Sequence, residues 1–227
     1  MDRKAIKAKA KEFAFSHKWA IWKPALVAGL IIGLVSSILS IVFRIDSQHN
    51  PTEYALLEAA VMALFAFLLV GNIYYVRKVI HGKEVSIKED LFHFKSNYVG
   101  VLVPVLVLTI VTSFSNIVSF ILKVIGAGSW SSIVILIALV AEIIFTFMFV
   151  QTTYILSEDK EENFGGVTAL KMSKEMMDGH KWEYFVLILS FIGWILLCVF
   201  IIPLIWVIPY IQTTQIMYYE ELKKLSK

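Results

Sequence analysis

Cysteine is nearly absent: Cys198 is the only one in 227 residues. No internal disulfide can form. A thiolate would be costly inside the hydrophobic run that holds Cys198, so the residue reads as a small core side chain. Charge is also scarce. Asp, Glu, Lys and Arg make up 17% of the chain, against about 25% in a soluble domain. That shortfall excludes an ordinary water-covered surface. The net charge is only +3, and Lys and Arg flank apolar runs without forming a basic domain. Nucleic acid is therefore not an expected partner. Metalloprotease, nucleophile-elbow and Walker sequences are missing. The five histidines have no metal-ligand spacing. No catalytic residue, metal or cofactor is expected. The first apolar run is too long for a cleavable signal peptide and has no small-residue cleavage pattern.

What is abundant is apolar sequence, at 58%. A membrane span needs about 20 mainly apolar residues. Pro24 to Phe43, Ala59 to Val76, Val99 to Leu122 and Ser131 to Leu156 each supply one. Tyr184 to Tyr219 holds 36 residues without a charge. As one helix it would run roughly 54 Å, against a hydrocarbon core of about 30 Å. Two spans broken near Pro203 fit better, which makes six. Nineteen of the 21 Lys and Arg lie before the first span or after the second, fourth and sixth. Only Arg44 and Lys123 lie at the other ends. The positive-inside rule then puts both termini in the cytoplasm and the protein in a cytoplasmic membrane.

Two stretches are nearly identical: Ser16-His17-Lys18-Trp19 and Gly179-His180-Lys181-Trp182. Each closes a basic amphipathic segment and opens a hydrophobic run. Lys95-Ser96-Asn97-Tyr98 is a weaker third copy. The segments carry apolar stripes at helical spacing: Ile6, Ala10 and Phe13; Ile87, Leu91 and Phe94; Val167, Leu170 and Met177. Ser86 and Glu89 have the pattern of a capping box, and Gly179 is placed to end the third helix. Such helices are expected in the headgroup layer, apolar side down; the alternative is packing on each other or on the inner face of the bundle. The even-numbered spans end alike, with an amide, two residues, then tyrosine: Asn72 and Tyr75, Gln151 and Tyr154, Gln215 and Tyr218. Trp19 and Tyr75 stand 56 positions apart, as do Tyr98 and Tyr154. The expected fold is all-α: a six-helix transmembrane bundle with three cytoplasmic interfacial helices. One domain, 1–227, is built from helix-hairpin modules at 1–80, 81–157 and 158–227.

The stretch from Met172 to Phe185, MSKEMMDGHKWEYF, carries a family resemblance. Ser190-Phe191-Ile192-Gly193-Trp194, Trp206 to Tyr210 and Tyr218 to Leu222 continue it, and the segment Arg3 to Lys11 is similar too. The chain resembles the uncharacterised bacterial membrane family catalogued as domain of unknown function 975. The resemblance implies a polytopic membrane protein and a bacterial host. It supplies no functional residues. Members often have a glycine-containing turn between the last two spans, where this chain has Phe200-Ile201-Ile202-Pro203.

Within the spans, Glu142 is the sharpest candidate. It lies about eleven residues into the fourth span, near the bilayer centre, where an ionised carboxylate costs several kcal/mol. Thr112, Ser113 and Asn116 of the third span fall on one face at a matching depth. A proton- or cation-responsive site and a neutral Glu bonded between two helices both fit. Glu58 lies near a span end and can reach the interface. Ala25, Gly29, Gly33 and Ser37 recur every four residues, a stripe that lets another backbone approach, within the chain or from a second copy. His17, Lys18, Trp19, His180, Lys181 and Trp182 read as interfacial anchors.

The expected function is non-enzymatic binding, in envelope maintenance or immunity-type protection. The expected partners are membrane lipids, another membrane protein or a membrane-active peptide. The alternative is a small transporter or flippase using Glu142.

Overall fold

In a computed structural model of the chain, eleven α-helices follow one another and no strand appears among the described residues. The structure describes residues 2–43, 51–92, 98–112, 114–126, 128, 130–158 and 165–226. Arg44, Ser113, the 95–97 part of the third motif copy, Phe94 and the acidic residues 159–162 lie outside these. So do the side chains of Glu58, Tyr98, Thr112 and Asn116.

The first helix, α1 (Arg3–Phe43), leaves helical geometry at His17, with φ −112° and ψ 17°. The Ser16 hydroxyl donates to the Glu12 and Phe13 carbonyls at 3.1 and 2.9 Å, and His17 Nδ1 lies 3.2 Å from the Phe13 oxygen. These side chains compete for carbonyls that a straight helix gives to its own N–H groups, and the helix kinks there. The other His-Lys-Trp copy behaves alike. Gly179 takes φ +74° after α8 (Gly166–Met177), a left-handed helix end that suits glycine. His180, at φ −108° and ψ −1°, then caps α9 (Lys181–Leu189).

Between these lie α2 (Pro51–Ile80), α3 (Ile87–Asp90), α4 (Tyr98–Thr112), α5 (Phe114–Val124), α6 (Ser131–Phe149) and α7 (Thr152–Leu156). The chain ends with α10 (Ile192–Leu197), a 3-10 turn at Cys198–Phe200 and α11 (Leu204–Leu225). Among the described residues, four stretches are long and apolar enough to cross a membrane: Arg3–Phe43, Ala63–Ile80, Ser131–Leu156 and Lys181–Phe200. Gly100–Val111 is a shorter apolar helix.

The long uncharged run does break near Pro203. Ile201 has φ 61° and ψ −51°, and the Ile202 N–H closes on the Phe200 carbonyl at 2.6 Å. This is a γ-turn of the rare, strained kind, on a β-branched residue. Ile201 is also exposed, so its side chain contributes little packing. Ile201→Gly is expected to raise stability by about 1 kcal/mol, the relieved strain less the entropy of glycine. In thermal unfolding that is a midpoint higher by about 2–4 °C; an unchanged or lower midpoint refutes it.

Burial is concentrated at one end. Ile6, Ala10 and Ala14 of α1, Ile73, Tyr75 and Val76 of α2, Met177 of α8, Tyr184 of α9 and Ile216 to Tyr219 of α11 belong to one core. Toward the other end the helices turn large apolar side chains outward: Leu34, Ile38 and Ile41 on α1, Ile133, Leu136 and Ile137 on α6, Val199 to Ile202 at the turn. A water-soluble fold has no reason to leave such surfaces uncovered; a lipid-facing one does.

The amphipathic stripes meet protein. Ile6 and Ala10 are buried in the main core, and Lys7 Nζ reaches the Ser190 hydroxyl at 2.7 Å. Leu91 is fully buried against Ala28 and Leu68. On α8, Leu170 and Met177 are buried while Val167 is exposed. Packing on the inner face of the bundle is therefore the arrangement these stripes have in the structure. The reason is that tyrosines, methionines and isoleucines at that end offer an apolar partner surface. The capping box at Ser86 does not form either. The Ser86 N–H donates to Asp90 Oδ2 at 2.7 Å, and Asp90 also pairs with Lys78 at 2.9 Å. Asp90, rather than Glu89, is the carboxylate that caps this helix.

Candidate functional site

The three amide-x-x-tyrosine endings converge. Asn72, Gln151, Tyr75, Tyr154 and Tyr218 are all buried. Gln212 Nε2 donates to Asn72 Oδ1, and the Tyr154 hydroxyl donates to Gln215 Oε1 at 3.0 Å. Gln151 faces elsewhere, its Nε2 on Met177 Sδ at 3.5 Å. Polar groups inside apolar helices bond to one another because lipid and core offer no other partner.

Asn72, Gln212 and Gln215 line the inner end of a groove of about 550 Å³ between α1, α2, α7, α9 and α11. Its walls are apolar: Ala28, Ile32, Phe65, Leu68 and Ile208 among others. Its polar end consists of Asn72, Thr153, Tyr154, Tyr184, Gln212 and Gln215. Phe65 is 50% exposed and Ile208 38%, so the groove opens at the outer surface of the helices. Ala25 and Gly29 line it too, whereas Gly33 and Ser37 continue along exposed α1 surface. A Cβ added to Gly29 or Gly33 would meet nothing within 4 Å. The close backbone approaches lie at Gly71 and Gly166 instead. A Cβ at Gly71 would sit 1.9 Å from the Leu91 carbonyl oxygen, and one at Gly166 would sit 2.3 Å from that of Gly100.

Behind the polar end stands an aromatic wall. Tyr154 stacks on Tyr219 with centroids 5.7 Å apart, and the Arg77 guanidinium lies 5.7 Å from the Tyr219 ring centre. Beyond it is a charged cavity of about 280 Å³ lined by Arg77, Lys78, His81, Lys83, Glu158 and Lys223, with Tyr74 and Ser157. Arg77 lies 3.5 Å from Glu158 and 3.6 Å from Glu220. Lys223 and the Tyr219 hydroxyl both donate to Glu158. Burial alone pushes the Glu158 carboxyl up. The bonds from Lys223 and Tyr219, with the charges of Lys223 and Arg77, outweigh it and hold the group below the ordinary carboxylate range.

Glu142 is half-buried, and its Oε2 accepts the Ser115 backbone N–H at 3.1 Å, joining α6 to α5. His17 is stacked on Phe13 with centroids 4.3 Å apart, and His180 Nδ1 lies 3.1 Å from Glu183 Oε2. Each histidine is thus engaged within its own segment. Lys181 pairs with Asp178 at 3.7 Å, and Lys18 lies over the Trp206 ring. Trp19 and Trp182 point outward, 60% and 72% exposed. Cys198 is half-buried and donates to the Trp194 carbonyl at 3.3 Å. Among the described residues, no three His, Cys, Asp or Glu gather as a metal site would need.

The described residues are all-α, with four membrane-length apolar stretches, outward-facing apolar surfaces and polar side chains gathered inside, which is the architecture of a membrane protein. The chain belongs to the family described as protein of unknown function (DUF975), whose model matches residues 1–226. No curated protein and no solved structure matches it.

Sequence reasoning read the amide-x-x-tyrosine endings as architecture and passed over Gln212, Thr153 and Tyr184. One signal was available. Gln212 and Gln215 stand three apart on an apolar helix, so both fall on one face, where paired amides need a partner or a ligand.

Proposed function

We propose that this chain is a non-enzymatic protein of a bacterial cytoplasmic membrane that holds a lipid-like molecule in the groove between α1, α2, α7, α9 and α11. The observation that carries this reading is the groove itself: apolar walls, an opening on the outer surface, and an inner end of amides and tyrosines. Ligand sites have this composition, mostly apolar with a few convergent polar groups. The break at Ile201–Pro203 and the distribution of Lys and Arg support six spans with both termini in the cytoplasm. The matching backbones of His17 and His180, followed by the exposed Trp19 and Trp182, support interfacial hinges repeated along the chain. They also favour three helix-hairpin modules. Envelope maintenance or immunity-type protection would each use such binding. Transport through Glu142 draws less support, because its carboxylate is engaged by the Ser115 N–H.

The test is native mass spectrometry of the full chain released gently from membranes. A retained adduct of lipid mass, one per chain, is expected. Gly29→Leu should remove it, since Gly29 lines the groove and has open space around its Cβ. Adducts that are absent, or identical in the variant and the original protein, refute the reading.

A further inference from the structure

We infer that the occupant of the groove is an amphiphile with an uncharged, hydroxyl- or ester-bearing head, such as a diacylglycerol, and not a phospholipid. The inference rests on the lipid-binding reading above and names the class of ligand. Among the described residues, no Asp, Glu, Lys, Arg or His lines the groove. Its polar end is made of amides and hydroxyls, which donate and accept hydrogen bonds but carry no countercharge. A phosphate seated there would be stripped of water with no countercharge, which costs far more than seating a neutral hydroxyl.

The cation cluster around Arg77 stands on the far side of the aromatic wall. Tyr219 lies between Tyr154, which bonds to Gln215 at the groove, and Arg77. Arg77 is itself taken up by Glu158 and Glu220. A head held at Gln215 therefore meets tyrosine where a phospholipid would need arginine. The volume of about 550 Å³ accommodates a polar head with part of its chains. The opening beside Phe65 and Ile208 lets the remainder of the chains lie in the bilayer.

Dioleoylglycerol and dioleoyl phosphatidic acid differ only in the phosphate, which makes them the discriminating pair. Each is titrated into the delipidated full chain in non-ionic detergent and followed by native mass spectrometry. Dioleoylglycerol should saturate at one per chain and bind roughly tenfold tighter than the phosphatidic acid. Gly29→Leu should abolish that binding, and Gln215→Leu should weaken dioleoylglycerol while leaving the weak phosphatidic acid binding as it was. Phosphatidic acid binding as tightly as dioleoylglycerol, and lost in Gly29→Leu, overturns the uncharged-head inference and leaves lipid binding standing. Binding of neither lipid in a manner sensitive to Gly29→Leu overturns both.

Discussion

Gly71→Ala is expected to be the most damaging single-methyl change in this chain. The added Cβ would lie 1.9 Å from the Leu91 carbonyl oxygen and 2.6 Å from its carbon. Both are backbone atoms, so no side chain can swing aside. The end of α3 must lift off α2, and Leu91, fully buried against Leu68 and Ala28, would lose its seat. Overpacking of this severity costs about 3 kcal/mol. That corresponds to a midpoint lower by roughly 6–12 °C for a chain of this size. Gly166→Ala should behave alike, because its Cβ would meet the Gly100 oxygen at 2.3 Å and Pro104 Cδ at 2.4 Å. Gly29→Ala is the control, on the same helical background but with nothing within 4 Å. It should be neutral or stabilising by up to about 1 kcal/mol. Equal midpoints for Gly71→Ala and Gly29→Ala would mean that α3 does not sit on α2 as described.

The second large effect belongs to Arg77. Its guanidinium holds the end of α2 to Glu158, to Glu220 of α11 and to the Ser157 carbonyl, while covering Tyr219. Arg77→Leu leaves Glu158, whose side chain is only 8% exposed, without one of the cations that face it, Lys223 staying in place. Removing one partner of a buried pair costs 3–5 kcal/mol; with Lys223 in place and partial solvent screening, about 2 kcal/mol is expected. Arg77→Lys should recover only part of this, since an ammonium cannot reach three partners and the ring together. The same cluster sets an acid limit. The folded-state Glu158 carboxyl is held below its ordinary value, so its contribution is complete above the unfolded pKa. It is lost as pH falls through the lower, folded-state value. Thermal midpoints should therefore drop on acidification in the original chain and drop less in Glu158→Gln. Parallel pH profiles for the two would remove Glu158 from the account.

Much of this architecture is legible in the residues. Pro203 marks the break in an otherwise uncharged run, and Gly179 marks a helix end. The doubled His-Lys-Trp marks two places where the backbone leaves helical geometry. These are local features, set by neighbouring residues. What covers a stripe is not local. The periodicity of Ile6 and Ala10 declares an apolar face, yet lipid and a tyrosine-rich core satisfy it equally well. Only the assembled helices show the core doing so. The site was hidden for the same reason. Asn72 and Gln212 are 140 positions apart, and no spacing rule connects them. The side chains of Thr112, Ser113 and Asn116, which depth matches with Glu142, lie outside the described residues; the partner described is the backbone N–H of Ser115, which every residue type but proline carries and no sequence pattern marks.

Tyr219 belongs to two compartments at once. One face of its ring is stacked on Tyr154, whose hydroxyl reaches the groove, and the Arg77 guanidinium stands over the ring. Its own hydroxyl is tied to Glu158. A displacement of Tyr154 by something in the groove would therefore be passed through a single ring to the ion pairs that join α2 and α11. The partition that keeps the two spaces chemically apart also connects them mechanically.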